Sequence, residues 1–336
     1  MAEELTALVV GTGDMARRHL QGYDLQDHVR TAGIVGRTEE HARALADEFG
    51  VPGIYRDVPE ALRFGSFDLA SVCLPTYLHA PRTLELLQAG IHVLVEKPIA
   101  LTVKDGQAMI DAAREAGRRL SVVFNRRFSS AFTEVRRRLP TLGEPLFYRA
   151  EDIRMIRPKR AMHHKDMNGG PFIDCMCHDT DLLRQIFGEV TGLHALGRTF
   201  ADSAALGFPE DRIARDTGSV QLEFAGGAAA EICYGWGMPR GAYWIRRSFI
   251  GPRGVVTAHG DFGDTVEHYR ADGVKETVAS FVPDGHERQI AAFVAAIREN
   301  GPVPVSPEDA LAALELSVQA LAAMESTEEH TDGGRA

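Results

Sequence analysis

The chain has 336 residues, of which 44% are hydrophobic and 25% are charged, and its formal net charge is −10. This length and composition are those of a globular protein with room for two domains, each with a sizeable core. The negative charge argues against general nucleic-acid binding, because a phosphate backbone is bound by clustered cations. The short arginine runs at 126–127 and 136–138 still allow contact with one phosphate group.

Four cysteines do not make a disulfide framework in a chain of this length, and we expect the protein to work in the reducing cytoplasm. Cys175 and Cys177 lie beside His178, which invites a metal site. Residues two positions apart on a helix diverge, however, and no second ligand pair of matching spacing follows, so we predict no metal. The N-terminus has acids before its first apolar run, unlike a signal peptide, and no apolar run reaches the ~20 residues of a membrane span.

The first apolar run, residues 5–10, ends directly in Gly-Thr-Gly-Asp-Met-Ala at positions 11–16. A strand, a glycine turn and a helix in this order are what dinucleotide binding requires. Gly11 allows the tight turn, Gly13 lets the backbone approach a pyrophosphate, and Ala16 keeps the helix close to the strand. The predicted cofactor contacts in this turn are Gly11, Thr12, Gly13, Asp14 and Met15.

The end of the second predicted strand, residues 29–35, bears on the choice of cofactor. NAD enzymes usually hold the ribose hydroxyls with an acid at this point, whereas the 2′-phosphate of NADP requires a cation and no acid. The chain has Gly36 where the acid would stand, followed by Arg37, and Thr38 is the expected cap of the next helix. We therefore predict contacts from all three and a preference for NADP. NAD stays open as the alternative, in which Arg37 stacks on adenine or faces solvent.

Two later strands bring polar residues to the same edge of the predicted sheet. Residues 69–73 and 92–96 read as buried parallel strands, and open α/β sheets bind ligands at the carboxyl ends of their strands. The alternation of strands and helices over residues 1–124 predicts a Rossmann domain with a doubly wound parallel sheet. Tyr77 is expected beside the nicotinamide together with His79. The predicted cofactor contacts at this edge are Pro75, Thr76, His79, Glu96 and Lys97.

The pattern changes from about residue 125. Six predicted strands between residues 146 and 259, with a two-residue turn at Gly226-Gly227, indicate a large, mostly antiparallel open sheet. We assign residues 125–326 to an α+β domain that binds substrate and forms oligomers. Amphipathic helices are predicted over residues 286–299 and 307–325, and residues 327–336 are expected to be a flexible tail.

The segment from Asn168 to Arg184 combines an acid and an imidazole. If the run from Phe172 is helical, Asp174 and His178 are one turn apart and project from the same face. Such a pair makes a usable acid–base site. The alternative is a buried, hydrogen-bonded structural pair, and the local pattern alone leaves both readings open.

Four segments together resemble the Gfo/Idh/MocA family of NAD(P)-dependent oxidoreductases. They are the glycine turn at 11–16, Glu96-Lys97-Pro98, Asn125-Arg126-Arg127-Phe128, and the run from Gly169 to Asp174 with His178, Asp179 and Asp181. The last segment, which Arg184 closes, is most similar to inositol dehydrogenases and related sugar dehydrogenases. The resemblance implies a Rossmann domain, a large open C-terminal sheet, and homodimers or homotetramers that form through that sheet. The chain departs from the family in having Gly36-Arg37 in place of a frequent acid, and in ending soon after the 307–325 helix, where many relatives add a short strand.

The resemblance also implies that Lys97, Asp174 and His178 surround the reacting carbinol. His178 would be the general base in oxidation and the general acid in reduction, and the alternative is a satisfied core histidine. Asp174 would bind a second hydroxyl or orient His178, or else cap a helix. Lys97 would hold the carbinol oxygen, or else be a surface lysine paired with Glu96. Asn125 and Arg127 are further predicted substrate contacts, and the roles of Asp181, His163 and His164 are left open. Trp236 is expected in the core, and the alternative is that it presents an apolar surface to the less polar face of a sugar ring.

These residues predict an oxidoreductase that transfers a hydride between NADP(H) or NAD(H) and a secondary alcohol or ketone of a cyclitol or sugar derivative. Its expected partner is thus a small polyhydroxylated substrate, and neither nucleic acid nor a membrane is expected. Two other functions stay open. One is a regulator that binds the dinucleotide without catalysis, against which the presence of Lys97, Asp174 and His178 argues. The other is a nicotinamide-assisted glycoside hydrolase, which would release an aglycone without net consumption of cofactor.

Overall fold

The computed structural model of the chain describes residues 4–261, 263–279 and 284–332, and it divides into two compact units. The first unit consists of Met1–Asn125 and Asp284–Leu311. The second consists of Arg126–Pro283 and Ala312–Ala336. Each unit is built around its own sheet and is described separately.

The sheet of the first unit has six parallel strands in the order β3-β2-β1-β4-β5-β6. This is the doubly wound Rossmann arrangement that the alternation of strands and helices predicted. The strands are β1 (Leu5–Val10), β2 (Val29–Val35), β3 (Gly53–Tyr55), β4 (Leu69–Val72), β5 (His92–Val95) and β6 (Leu120–Val122). The helices between them are α1 (Asp14–Asp24), α2 (Glu39–Phe49), α3 (Val58–Phe64), α4 (His79–Gln88) and α5 (Val103–Glu115).

Local chemistry explains where several of these helices begin and end. The side chain of Asp57 caps α3 by accepting the N–H of Glu60, and Thr102 caps α5 by accepting the N–H of Asp105. Thr38 occupies the cap position of α2 as predicted, but its side chain makes no capping hydrogen bond. That helix ends at Gly50, whose φ of 65° lies in the left-handed region that a residue without Cβ adopts most easily.

The helix α10 (Gly285–Arg298) belongs to the first unit, whereas the sequence analysis assigned it to the second domain. Its buried side chains Ile290 and Phe293 share a hydrophobic cluster with Leu20 and Tyr23 of α1. Contact is so close that a Cβ at Gly22 would stand 2.4 Å from the side chain of Ile290. A long-range packing preference of this kind leaves no local signal, because the helix is amphipathic whichever sheet it covers.

The second unit contains an eight-stranded sheet in the order β14-β13-β12-β11-β7-β10-β9-β8. All neighbours are antiparallel except β7 and β10, which confirms the predicted large, mostly antiparallel sheet. The strands are β7 (Phe147–Met155), β8 (Val190–Arg198), β9 (Thr217–Phe224), β10 (Ala229–Met238), β11 (Tyr243–Gly251), β12 (Gly254–His259), β13 (Thr265–Arg270) and β14 (Lys275–Ala279). The helices are α6 (Ser130–Leu142), α7 (Gly170–Asp174), α8 (Met176–Phe187), α9 (Ser203–Leu206) and α11 (Pro307–Asp332), which begins in the first unit.

Alternation along the strands gives this sheet one buried and one exposed face. In β7, Tyr148, Ala150 and Asp152 are buried, whereas Phe147 before them and Arg149 between the first two are exposed. The buried face packs with Phe172, Met176 and Leu183 of the helices in one core. The Gly226-Gly227 hairpin between β9 and β10 forms as predicted.

The sequence patterns did not indicate β3, α3, α6, α9, β13 and β14. The Asp272-Gly273 pair between β13 and β14 is a hairpin signal that would have found the last two strands. The helix α11 runs to Asp332, so the tail predicted from residue 327 begins within it. Residues 333–336 of that tail lie outside the described part of the chain.

Candidate active site

The glycine turn lies at the carboxyl end of β1 and fits the close approach of a dinucleotide. Gly11 has a φ of 129°, and a Cβ there would stand 2.4 Å from the carbonyl oxygen of Cys73, so only glycine is accommodated. At Gly13, which caps α1, no heavy atom lies within 4 Å of a built Cβ. The space in front of the helix N-terminus is therefore open on the protein side, where a phosphate group can meet backbone N–H groups. Thr12, Asp14 and Met15 are partly or fully exposed around this turn.

The end of β2 excludes an acid for a steric reason. A Cβ at Gly36 would stand 2.5 Å from Cγ2 of Thr12 and 3.0 Å from Cβ of Ala42. Any side chain at position 36 would thus displace the glycine turn or α2. Arg37 follows with an exposed side chain, which makes no ion pair with the described residues.

The loop after β4 carries the predicted contacts Pro75, Thr76 and His79. Thr76 and His79 are almost completely buried, at 2% and 1% exposure. The ring nitrogens of His79 lie 2.8 Å from the carbonyl oxygens of Leu74 and Pro98. Burial lowers the pKa of this imidazole, although both carbonyls favour its protonated form. His79 thus ties the loop after β4 to the loop after β5; its contact with the cofactor stays a prediction.

Lys97 follows β5, and the Lys97–Pro98 peptide bond is cis. The lysine is partly exposed, whereas the preceding Glu96 is 5% exposed. The carboxylate of Glu96 accepts the backbone N–H of Lys97 at 3.2 Å and lies 3.3 Å from Nε2 of His19. The buried Glu96 carboxylate therefore holds the backbone N–H of Lys97.

Five predicted residues or groups of residues share one edge of the first unit. The glycine turn follows β1, and Gly36-Arg37 follows β2. The loop from Pro75 follows β4, Glu96-Lys97 follows β5, and Asn125 follows β6. Because all six strands are parallel, their carboxyl ends meet at one edge of the sheet. The predicted cofactor contacts and Lys97 are thereby brought together.

The second unit contains Asp174 and His178, but not on one continuous helix as expected. The helix α7 ends at Asp174, and α8 begins at Met176 after Cys175, whose φ of −109° and ψ of −38° stay in the right-handed region but depart from the ideal helical φ. The N–H of His178 bonds to the carbonyl of Cys175, and the Cys177 thiol lies 3.5 Å from the carbonyl oxygen of Asp174. The expected continuous helix is therefore wrong at Cys175, and the projection of Asp174 and His178 from one face stays a prediction. Asp174 is 4% exposed and His178 is partly exposed.

Arg127, a predicted substrate contact, is engaged with Asp181. Its Nε donates to Oδ2 of Asp181 at 2.8 Å, and its Nη2 contacts Oδ1 of the same carboxylate. This bidentate pair is almost completely buried and gives Asp181 a structural partner. The role of Arg127 in substrate binding stays a prediction.

A buried cluster around Asp179 was not anticipated. Its Oδ1 accepts from Nη1 of Arg126 and Nε of Arg247, each at 2.8 Å, and from the hydroxyl of Tyr148 at 2.7 Å. The hydroxyl of Tyr234 donates to Oδ2 at 2.6 Å. Burial raises the pKa of Asp179, but the two guanidinium groups and the tyrosine donors outweigh it and hold the pKa well below its usual value. Asp179 is therefore an ionised anchor between α8 and the sheet.

Trp236 is fully buried, which agrees with the expected core position and excludes stacking on a sugar ring. Its Nε1 donates to Oδ1 of Asp152 at 3.2 Å, and the guanidinium groups of Arg154 and Arg157 lie 5.7 and 5.5 Å from its ring centroid. His163 is also fully buried and accepts the backbone N–H of Arg157 at 2.9 Å. The ring centroids of His164 and Phe208 lie 5.1 Å apart.

Within the described ranges, no three side chains of the types that bind metals are grouped as a metal site would require. The helices in the same ranges include none with the length and apolarity of a membrane span.

Two family models match the chain, and together they define an oxidoreductase with a dinucleotide-binding domain. The model described as "Oxidoreductase family, NAD-binding Rossmann fold" matches residues 5–124, and the model described as "GFO/IDH/MocA C-terminal domain" matches residues 138–257. The chain belongs to the Gfo/Idh/MocA family, and the resemblance inferred from its motifs is confirmed.

Similar proteins cover nearly the whole chain. The scyllo-inositol 2-dehydrogenase (NAD(+)) of Bacillus subtilis is 27% identical over an alignment of 341 positions, which covers 95% of this chain and 94% of that protein. The myo-inositol 2-dehydrogenase of Thermotoga maritima is 26% identical over 328 residues, with 94% and 95% covered. A biliverdin reductase from Synechocystis, solved with biliverdin and NADP+, superposes with a TM-score of 0.82 at 23% identity and covers 96% of this chain and 99% of its own. That last likeness concerns the fold alone.

Proposed function

We propose that the protein is a dehydrogenase or reductase that moves a hydride between NADP(H) and a secondary alcohol or ketone of a cyclitol or sugar derivative. The observation that carries the proposal is the common edge of the parallel sheet, where Lys97 follows β5 and the glycine turn follows β1, two strands away. Bound nicotinamide would accept or donate the hydride. Inositol dehydrogenases among the relatives support the substrate class.

In this proposal, side chains of the protein carry out the proton transfer. His178 takes the hydroxyl proton during oxidation and returns a proton during reduction. Asp174 orients that imidazole or binds a neighbouring hydroxyl, and its position at the end of α7 fixes it on a packed element. The Lys97 ammonium stabilises the negative charge that develops on the carbinol oxygen. Asn125 and Arg127 are proposed to bind the remaining hydroxyls.

A panel of substrates tests this function. Purified protein is incubated with inositols, aldoses and their keto derivatives, with NADP+ or NADPH and separately with NAD+ or NADH, and absorbance at the nicotinamide band is followed. The proposal expects turnover with at least one cyclitol or sugar. Absence of both turnover and cofactor binding across the panel would contradict it.

The proposed preference for NADP is supported by the steric exclusion of an acid at Gly36 and by the exposed Arg37. Replacing Arg37 by serine is expected to weaken NADP binding by about 10–100-fold and to leave NAD binding nearly unchanged, because a charged hydrogen bond to a phosphate contributes ~1.5–3 kcal/mol. Dissociation constants measured by nicotinamide fluorescence provide the comparison. The control is Arg43→Ser, which removes an exposed guanidinium already paired with Glu39 on α2. Equal loss for both cofactors, or no loss for either, would contradict the assignment.

We also propose that the protein forms a homodimer or homotetramer through the exposed face of the second sheet. That face carries the exposed side chains Phe147, Met155 and Trp244 among charged residues such as Arg149 and Arg246. Exposed apolar side chains gathered on one sheet favour association. The proposed cytoplasmic location accords with the four free cysteines.

A further inference from the structure

The carboxylate of Glu96 lies at the centre of a buried polar network in the first unit. Its Oε1 is 3.3 Å from Nε2 of His19 on α1 and 3.7 Å from Nε2 of His286 on α10. Its Oε2 accepts the backbone N–H of Lys97 at 3.2 Å. Glu96 and both imidazoles are 5% exposed or less. Helices from two distant parts of the chain therefore converge behind the proposed catalytic lysine.

The hydrogen-bond partners fix the direction of each proton on the α1 side. An ionised Glu96 only accepts, so Nε2 of His19 carries the proton that faces it. Nδ1 of a neutral His19 then accepts from the hydroxyl of Ser71 at 2.7 Å, and Ser71 accepts from the hydroxyl of Tyr23 at 2.6 Å. Burial raises the pKa of Tyr23, which keeps it a donor. A neutral His19 imidazole therefore satisfies the hydrogen bonds with Glu96 and Ser71 at the same time.

The same reasoning applies to His286 on α10. The amide nitrogen of Asn125 is a donor and lies 3.2 Å from Nδ1 and 3.4 Å from Nε2 of His286, and the shorter contact favours Nδ1 as the acceptor. In that arrangement the proton of the neutral ring is on Nε2, which faces Oε1 of Glu96 at 3.7 Å. Burial lowers the pKa of His286 to about 4, so the ring is neutral at physiological pH. His286 consequently faces Glu96 with an N–H dipole and not with a full positive charge, and His19 donates a hydrogen bond to the carboxylate.

The negative charge of Glu96 is therefore available to interact with Lys97. Burial raises its pKa, but the hydrogen bond from His19 and the electrostatic effects of His286, His19 and Lys97 together lower the pKa to about 2, so the carboxylate is ionised. The titratable and charged groups around the carboxylate are His19 on α1, Cys73 after β4, His79 on α4, Lys97 after β5 and His286 on α10, with Arg18 facing His286.

We propose that His19 and His286 are positioning residues: they hold the Glu96 carboxylate against the Lys97 backbone N–H and leave its negative charge to act on the Lys97 ammonium. The inference rests on the proposed function in taking Lys97 as the group that stabilises the carbinol oxygen. It assigns a role in catalysis to two buried histidines that act through Glu96. A network that serves stability alone would leave the titration of Lys97 and the kcat of the folded variants unchanged.

Atom-specific substitutions distinguish these two roles. A glutamine amide nitrogen replaces Nε2 of histidine and keeps the donor to Glu96, whereas asparagine replaces only Nδ1. We expect kcat of His19→Asn to fall by about 10-fold, which corresponds to the loss of one hydrogen bond of ~1.4 kcal/mol, and kcat of His286→Asn, whose Nε2 is 3.7 Å from the carboxylate, to fall less. The glutamine variants should remain within about 3-fold of the wild type. Cofactor dissociation constants should change little in all four, and His41→Asn on the exposed side of α2 is the control.

Two measurements do not depend on turnover, so failure of the network is distinguishable from failure of the proposed function. Competitive acylation of lysines over a pH series, read by mass spectrometry of the Lys97 peptide, should show Lys97 titrating at lower pH in Glu96→Gln than in wild type. Nitrogen-15 NMR of histidine-labelled wild type at pH 7 should show His19 and His286 protonated at Nε2 only. An imidazolium at either position, unchanged Lys97 labelling in Glu96→Gln, or equal kcat in the asparagine and glutamine variants would overturn the inference.

Discussion

Replacing Lys97 by methionine is expected to lower kcat by about 10³-fold while the dissociation constant of the cofactor changes by less than about 3-fold. The ammonium is proposed to act on charge that develops on the carbinol oxygen, and removal of such a stabilising group usually costs 10²–10³-fold or more in kcat. Methionine keeps the length of the side chain and its packing. Steady-state kinetics with the best substrate of the panel, combined with cofactor titration by fluorescence, measure both quantities.

Lys104→Met is the matched control for this substitution. Lys104 lies on α5 with an exposed side chain, a few residues beyond Lys97 in the same unit. Its replacement should leave both kcat and cofactor binding at wild-type values. If Lys97→Met turned over as fast as Lys104→Met, the assignment of Lys97 to the reacting oxygen would be wrong, whatever the cofactor affinity.

Asp179→Ala is expected to destabilise the second unit by about 3–5 kcal/mol. The substitution removes the carboxylate that the buried guanidinium groups of Arg126 and Arg247 share, and it leaves Arg247 with the longer contact to Asp152 at 3.6 Å. Tyr148 and Tyr234 lose the acceptor of their hydroxyl groups at the same time. Chemical unfolding followed by tryptophan fluorescence is a suitable measurement, because both tryptophans of the chain, Trp236 and Trp244, lie in this unit.

The control for this effect is Asp211→Ala, which removes an exposed acid beside Arg212 and should change the unfolding midpoint little.

The ionised state of Asp179 also predicts that the stability of the second unit depends on pH. The pKa of Asp179 is lower in the folded state than in the unfolded state, so its contribution is complete above the ordinary aspartate pKa and is lost as the pH falls below it. Asp179→Ala should therefore lose less stability on acidification than the wild type. An equal acid dependence would contradict the role given to this carboxylate.

Local motifs made the first unit predictable from sequence. The glycine turn, the strand ends and Glu96-Lys97 each combine a backbone requirement with a position at a strand end, and both are visible within a few residues. Gly11 illustrates this point, since its conformation and its contact with Cys73 are consequences of the turn itself. The Gfo/Idh/MocA resemblance then extended the reading over most of the chain.

The polar networks were not predictable, because their members are far apart in sequence. Asp179 meets Arg126 and Arg247 across 53 and 68 residues, and Glu96 meets His19 across 77. Asp179 and His19 both stand within recognised segments, yet nothing local indicates which partners would bury them. The break at Cys175 is equally invisible, since the residues around it have no proline or glycine that would interrupt a helix.

The transfer of deuterium to the cofactor tests the central claim most directly. Inositols and aldoses deuterated at their carbinol carbons are incubated with the protein and NADP+, and the nicotinamide is then analysed by mass spectrometry and proton NMR. The account predicts deuterium at one face of C4 of the reduced nicotinamide, with none transferred by Lys97→Met on the same timescale. Tight cofactor binding with no transferred deuterium would identify a dinucleotide sensor instead, and release of an aglycone from a glycoside without net cofactor reduction would identify a hydrolase; either result would contradict the account.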